Sequence, residues 1–292
     1  MLLCRSFLML SIIFGTPSFL AAQNLDTAKI DEALGRSGQK SGDMYRVAFP
    51  RTDLHVRVNE TDIKPGLALG SWAAFSGDNA RAVVMGDLVL LENEVNPVIR
   101  KLRSSGFEIT AIHNHLINET PHVLYVHYMG HGDAPQIAQA LRAALAESKT
   151  PLEKPAPPAP PSEPPSFVKT IEDTLGTKGR WSGGVLGFGI PRVEPIVENG
   201  TTLTGAQGVA ESINFQEAGP DKVASTGDFV LTADEVNPVI SALAEHGIEV
   251  TALHSHLLTE HPRLFFMHFG GLGSTASVSQ GIKAGLDKVH VK

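Results

Sequence analysis

The spacing of apolar residues changes repeatedly along this chain, and the order of the changes occurs twice. The segment "RAVVMGDLVLL", from Arg81, is apolar enough for a buried strand. The following "ENEVNPVIRKLRSSG" reads as a helix. Asn96 can cap it, Pro97 suits a first helical position, and Gly106 can end it in left-handed geometry. "FEITAIHNHLI" then reads as a strand, a loop surrounds Glu119, and "HVLYVHYM" is the next strand. "APQIAQALRAALAES" closes the unit with Ile137, Leu141 and Ala144 at helical spacing, which predicts one face packed on a sheet. Upstream lie a short helix over Thr27–Leu34 and the extended runs "MYRVAFPR" and "TDLHVRV".

The second half repeats this order at an offset of 141 residues. A helix over Val168–Leu175 leads into "GGVLGFGIPR", then "KVASTGDFVLT". The helix after it carries Asn237 and Pro238, and Thr232 with Glu235 offers an earlier start through a capping box. Gly247 ends it, and "TASVSQGIKAGLDKV" closes the chain. Between Gly86–Gly130 and Gly227–Gly271, 22 of 45 positions are identical, with one gap required near Phe75 and Phe215. Strand, helix, strand, strand, helix predicts an α+β module: a mainly antiparallel sheet with helices on one face. A ferredoxin-like βαββα core with added N-terminal strands fits the order. The chain is two such modules in tandem, made by duplication.

Composition sets the boundaries. Of 19 prolines, eight fall in Pro151–Ser166, where they exclude both helix and sheet pairing. As polyproline II this joint reaches about 50 Å at roughly 3.1 Å per residue. Residues 1–22 read as a secretory signal, with Arg5, an apolar run and Ala21-Ala22 before a polar residue. The expected units are therefore a signal at 1–22, a first domain at 23–149, a linker at 150–166 and a second domain at 167–292. Cys4 lies within the signal and ahead of its apolar run, where a lipidated cysteine would not be placed. Losing Arg5 with the signal takes the net charge from −7 to −8. An acidic chain without a basic stripe argues against nucleic acid as a partner. After signal cleavage no span of the membrane is expected, and the location predicted is periplasmic or secreted.

Six of the 12 histidines recur at the offset: His113/His254, His115/His256 and His127/His268. On a strand, His113 and His115 share a face with Phe107, Ile109 and Ala111, so an apolar row runs into them. If the next strand returns as a hairpin, Tyr125 lies opposite His113 and His127 opposite Ala111. Glu119, and Glu260 in the copy, can fold in from the loop. Three imidazoles and a carboxylate suit a divalent transition metal, zinc, manganese, iron or copper. The candidate ligands are thus His113, His115, Glu119 and His127, with His254, His256, Glu260 and His268 in the second unit. The spacing His-x-His-x-x-x-Glu after Gly106 resembles the first metal motif of cupins. A helix precedes it here, and His127 follows too soon for a barrel strand, which makes this convergent ligand spacing. The competing expectation is a buried polar cluster that specifies the strand ends, with two sheets packed through their histidine rows.

Other candidates read as structural. Asp87 and Asp228, in the repeated "GD", suggest a turn. Glu94 and Glu235 suit a helix start or the orientation of a ligand. Arg51 and Arg192 suit an anion site or an internal ion pair. Trp72 reads as core, opposite Ile213 at the constant offset. No nucleophile motif, P-loop or dinucleotide fingerprint is present.

The unit "GDLVLLENEVNPVIRKLRSSGFEITAIHNHLINETPHVLYVHYMGHGD", with upstream "VAFPR" and "GSWAAF", resembles the LppY/LpqO family of exported bacterial proteins, built on a domain of unknown function. The resemblance covers both units and implies an exported protein with no established catalytic residues. The expected function is binding of a metal or small ligand. The alternative is a non-enzymatic envelope module that holds a ligand or partner in the cleft between its domains.

Overall fold

The computed structural model describes residues 25–154 and 163–292; the signal-like segment with Cys4 and the centre of the proline-rich joint lie outside the described residues. The first domain runs α1 (Thr27–Leu34), β1 (Gln39–Ser41), β2 (Met44–Pro50), β3 (Val56–Val58), β4 (Thr61–Ile63), α2 (Pro65–Ala68), β5 (Gly70–Ser76), β6 (Ala82–Leu91), α3 (Glu92–Ser104), β7 (Glu108–His113), β8 (Glu119–Thr120), β9 (Val123–Gly132) and α4 (Ala134–Leu145). The second runs α5 (Ser166–Leu175), β10 (Arg180–Ser182), β11 (Val185–Pro191), β12 (Ile196–Glu198), β13 (Thr201–Leu203), a short turn at Gly205–Gln207, β14 (Ala210–Gly219), β15 (Lys222–Leu231), α6 (Ala233–Glu245), β16 (Glu249–His254), β17 (Phe265–Ser274) and α7 (Thr275–Leu286).

Each domain is built on a six-stranded sheet, β1-β2-β5-β6-β9-β7 and β10-β11-β14-β15-β17-β16. β9 enters between β6 and β7 and pairs antiparallel with both. The unit β6-α3-β7-β9-α4 is therefore the expected βαββα core, with three N-terminal strands added at its β6 edge. Val84, Leu88, Leu90, Phe107, Val126 and Tyr128 pack under the helices with Ile30, Val98 and Leu141. The equivalent layer of the second domain holds Phe229, Leu231, Ile248, Phe269, Val239 and Ile282.

The opposite face of each sheet meets the other domain. Met85 and Met129 of the first sheet pack against Ile196, Leu203, Val209, Leu257 and Leu264 of the second domain. Reciprocally, Ile63, Leu67 and Leu116 pack near Val185. Gly86 in the "GD" pair admits the neighbouring strand of its own sheet, because a Cβ there would come within 2.2 Å of the Trp72 carbonyl oxygen. At Gly227 the same atom would meet the Ser212 carbonyl at 1.9 Å. The "GD" pairs are thus mid-strand positions, and not the turns expected.

α3 begins earlier than Asn96 suggests, and α6 takes the earlier start offered by the capping box of Thr232 and Glu235. The Glu94 carboxylate accepts from the Leu91 amide at 2.9 Å, and Glu235 from the Thr232 amide at 2.8 Å. Pro97 and Pro238 therefore lie inside their helices. The same glutamates bind Arg51 and Arg192 at 2.7 Å, and these arginines are 0% and 3% exposed. Each glutamate also accepts one more amide, from Lys149 or His290. Arg51, Glu94 and their counterparts are structural knots that tie a strand end, a helix start and the end of the domain together. Gly106 and Gly247 end the helices at φ 87° and 70°, the left-handed geometry expected.

The hairpin register is the one expected: Tyr125 pairs with His113 and His127 with Ala111. The apolar row is different. A bulge between Ile109 and Ala111 inserts one residue, and the same bulge occurs between Val250 and Ala252. An inserted residue reverses strand parity. Ile109 thus shares the helix-facing side with Tyr128, whereas Ala111 and His113 turn with His127 toward the other domain.

Candidate metal centre

A row of paired residues crosses the inner face of each sheet. In the first it runs Trp72, Asp87, His127, Ala111; in the second, Ser212, Asp228, His268, Ala252. The gap near Phe75 and Phe215 places Trp72 opposite Ser212, in place of Ile213, and Trp72 is half-buried at the interface. His113 and His115, with His254 and His256, lie at the inner ends of β7 and β16.

The two rows face each other. His113 stacks on His254 with ring centroids 3.7 Å apart. His115 lies between Tyr125, at 3.5 Å, and His268, at 3.7 Å. His256 lies between Phe266, at 3.6 Å, and His127, at 3.7 Å. Exchanging the domains reproduces the same contacts, so the six histidines form one cluster about a pseudo-twofold axis. The sites anticipated in separate units are joined into one. The backbone supports the arrangement: the Asn114 side-chain amide donates to the Thr251 carbonyl, and the Thr251 hydroxyl to the His115 carbonyl.

Two groups of side chains bring ligand atoms within 4.8 Å of one another. One is Asp87, His113, His115 and His127; the other is His113, His254, His256 and His268. His113 belongs to both. The Nε2 atoms of His113 and His115 are 3.1 Å apart. Metal–nitrogen bonds of about 2.0–2.1 Å around a tetrahedral ion place neighbouring nitrogens at about 3.3 Å. Asp87 Oδ2 lies 3.6 Å from His115 Nε2 and 3.7 Å from His127 Nε2. His268 Nδ1 lies 2.5 Å from Asp228 Oδ1.

Five of the six imidazoles are biased toward the neutral form. Burial lowers His113, His115, His127 and His256 well below the ordinary histidine value, and the neighbouring imidazoles lower them further. His254 is lowered to about 4 by burial and by His268. Neutral imidazole is the form that binds metals. Burial, then repulsion from Asp228, raises Asp87 well above the carboxylate range. Several buried atoms lack a partner among the described residues, including His113 Nδ1, His127 Nε2, His254 Nε2, both nitrogens of His256, His268 Nε2 and Asp87 Oδ1. A buried polar atom without a partner costs about 1–3 kcal/mol, so this concentration calls for an occupant.

Glu119 and Glu260 are in neither group. Glu119 accepts from the Val123 amide and contacts His122 Nδ1 at 2.5 Å. Glu260 accepts from the Leu264 amide and from Arg263. Both close the loop between the paired strands, each next to a cis proline, Pro121 or Pro262. The carboxylates in the cluster are Asp87 and Asp228. Their signal in the sequence was a charge in an apolar strand, recurring at the offset and opposite a histidine.

A cavity of about 350 Å³ opens beside the cluster. Arg46, Trp72, Asp87, His115, His127 and His256 line it, with Asn214, Thr226 and Asp228 on the far wall.

The comparisons agree with the duplication. No curated protein matches the chain. Similar solved structures include a trimeric bacterial microcompartment shell protein, PduB, at 13% identity over 87% of this chain and 89% of that chain, with a TM-score of 0.21. EtuB from Clostridium kluyveri is 10% identical over 86% of this chain and 90% of that chain, with a TM-score of 0.20. At those scores neither likeness bears on the site. A family model matches twice, over residues 28–147 and 169–288, and by that double match the chain belongs to the family described as a Domain of Unknown Function, DUF1259.

Proposed function

We propose that the protein binds a divalent transition metal at a single centre shared by its two domains. The observation that carries this reading is the convergence of two ligand groups on His113, among buried and largely unpartnered imidazoles. Nitrogen-rich sites favour zinc, copper, iron or manganese over calcium and magnesium. Two neighbouring carboxylates, Asp87 and Asp228, would be relieved of their mutual repulsion by a cation between the domains. The signal-like residues 1–22, and the resemblance to the exported LppY/LpqO proteins, support a place of action outside the cytoplasm.

Elemental analysis of untagged protein tests the reading. At least one equivalent of transition metal per chain is expected, and a folded His113→Ala/His115→Ala variant should lose it. Less than a tenth of an equivalent, with no uptake of added zinc, manganese or copper, would refute it. That result would favour a second reading, a purely structural histidine layer. The face-to-face stacks Tyr125–His115–His268 and Phe266–His256–His127 are the observation that favours this alternative.

A further inference from the structure

The histidine cluster follows the pseudo-twofold, but the walls of the adjoining cavity do not. Strand pairing sets Arg46 of the first domain against Gly187 of the second, Trp72 against Ser212 and Ala74 against Asn214. Met85 corresponds to Thr226. The cavity therefore has a cationic wall from one domain and a hydroxyl-and-amide wall from the other. Gly187 itself carries no side chain, and a Cβ there would press on the end of the Asn214 side chain at 2.9 Å.

The groups on these walls have capacity to spare. The Arg46 guanidinium lies 3.8 Å over the Trp72 ring and donates Nη1 to the Ala206 carbonyl at 2.7 Å. A guanidinium carries five N–H donors. No carboxylate is within ion-pair distance of Arg46 among the described residues. The Thr226 hydroxyl is buried, at 4% exposure, and has no partner among the described residues. Asn214 is its neighbour across the strand pair. Stacking on an indole fixes a guanidinium in plane, the preparation suited to receiving a planar carboxylate.

We propose that this cavity binds one small hydroxylated carboxylate per chain, with the carboxylate on Arg46 and hydroxyls directed to Asn214, Thr226 and the metal centre. A single cation in the cavity selects one anionic group, and the unpartnered hydroxyl and amide select alcohol groups. Three carboxyl groups, Asp87, Glu211 and Asp228, also line the cavity, and each opposes an anion when ionised. Tight binding accordingly rests on the metal reading, because a cation among the histidines reverses that repulsion.

Calorimetric titration with gluconate, and with sorbitol as its neutral counterpart, tests this on the full mature chain with its metal content measured in parallel. Gluconate should saturate one site per chain, and sorbitol should not bind at the same concentrations. Arg46→Gln should weaken gluconate at least tenfold, and Arg46→Lys should fall between it and the wild type. Asn214→Ala, which installs the first-domain residue, should weaken it several-fold. Metal content and circular dichroism should be unchanged in all three. Absence of saturable gluconate binding, equal binding of sorbitol, or unaltered binding by folded Arg46→Gln would overturn the inference. Protein that holds metal but not gluconate would overturn this proposal and leave the metal centre standing. Protein without metal would overturn the metal reading, while gluconate binding that still falls with Arg46→Gln would uphold the anion site.

Discussion

The two domains share a fold and a histidine set but differ in how their inner faces are filled. On the first sheet, Met85 and Met129 fill the layer against the second domain. On the second sheet the same positions are Thr226 and Gly270. A cavity of about 270 Å³ lies there, walled by Val58, Ile63, Leu67 and Leu116 from the other domain. The Glu94 and Glu235 caps and the Arg–Glu knots are the same in both. Duplication thus left the framework and the cluster alike, while the filling of the inner faces diverged. The symmetric part is suited to holding a centre on the axis; the asymmetric part is suited to one ligand in one orientation.

The largest expected effect tests the shared framework. Glu94→Ala and Glu235→Ala each remove the most buried partner of a buried arginine, leaving it only Asp53 or Glu194, and remove a helix cap. Each should cost about 3–5 kcal/mol in denaturant unfolding. Similar losses confirm that the knots are equivalent. A loss below about 1 kcal/mol in either would break the equivalence.

The next effect probes the difference in filling. Met85→Thr copies the second domain into the first and should destabilise by about 2–4 kcal/mol through a new void. The reverse change, Thr226→Met, enters a space that already exists and should cost less than about 1 kcal/mol, or stabilise. Equal losses in thermal unfolding would show that the two faces are not alternatives of one design.

A smaller effect concerns Glu211, whose counterpart is Ser71. Both accept the amide of the facing strand, Glu211 from Val230 and Ser71 from Val89. Glu211 is fully buried and its Oε1 has no partner. Burial raises it well above the ordinary value of 4.5, against the Val230 amide and Arg192, with Glu235 and Asp228 adding repulsion. A carboxylate raised in the folded state contributes most below the unfolded value, and that contribution falls as the pH rises above it. Glu211→Ser should therefore stabilise by about 1 kcal/mol at pH 7. The gain should shrink toward zero near pH 4. A gain that is larger at pH 4 than at pH 7 would reverse the assignment.

Much of this was legible in the sequence, and the exceptions have physical causes. Helices and strands followed from periodicity, and the constant offset revealed the duplication. The pairing of Tyr125 with His113 followed from hairpin geometry alone. The bulge beside Thr110 was invisible, because one inserted residue barely alters composition while it reverses every later side chain. Gly-Asp is common in turns, so the Asp87 pair reads as one; in the fold the glycine admits a neighbouring strand. Glu119 was a plausible ligand by spacing, but its loop turns it back on the Val123 amide. The stacking of His113 on His254 joins residues 141 apart, and no local pattern encodes how two sheets face one another.

The most direct test of a shared centre is the metal stoichiometry of His113→Ala, measured by elemental analysis on folded, untagged protein beside the wild type. His113 belongs to both ligand groups, so its removal should abolish binding by both domains and leave less than a tenth of the wild-type metal. Retention of about half the metal, the value expected for two independent sites, would contradict the account.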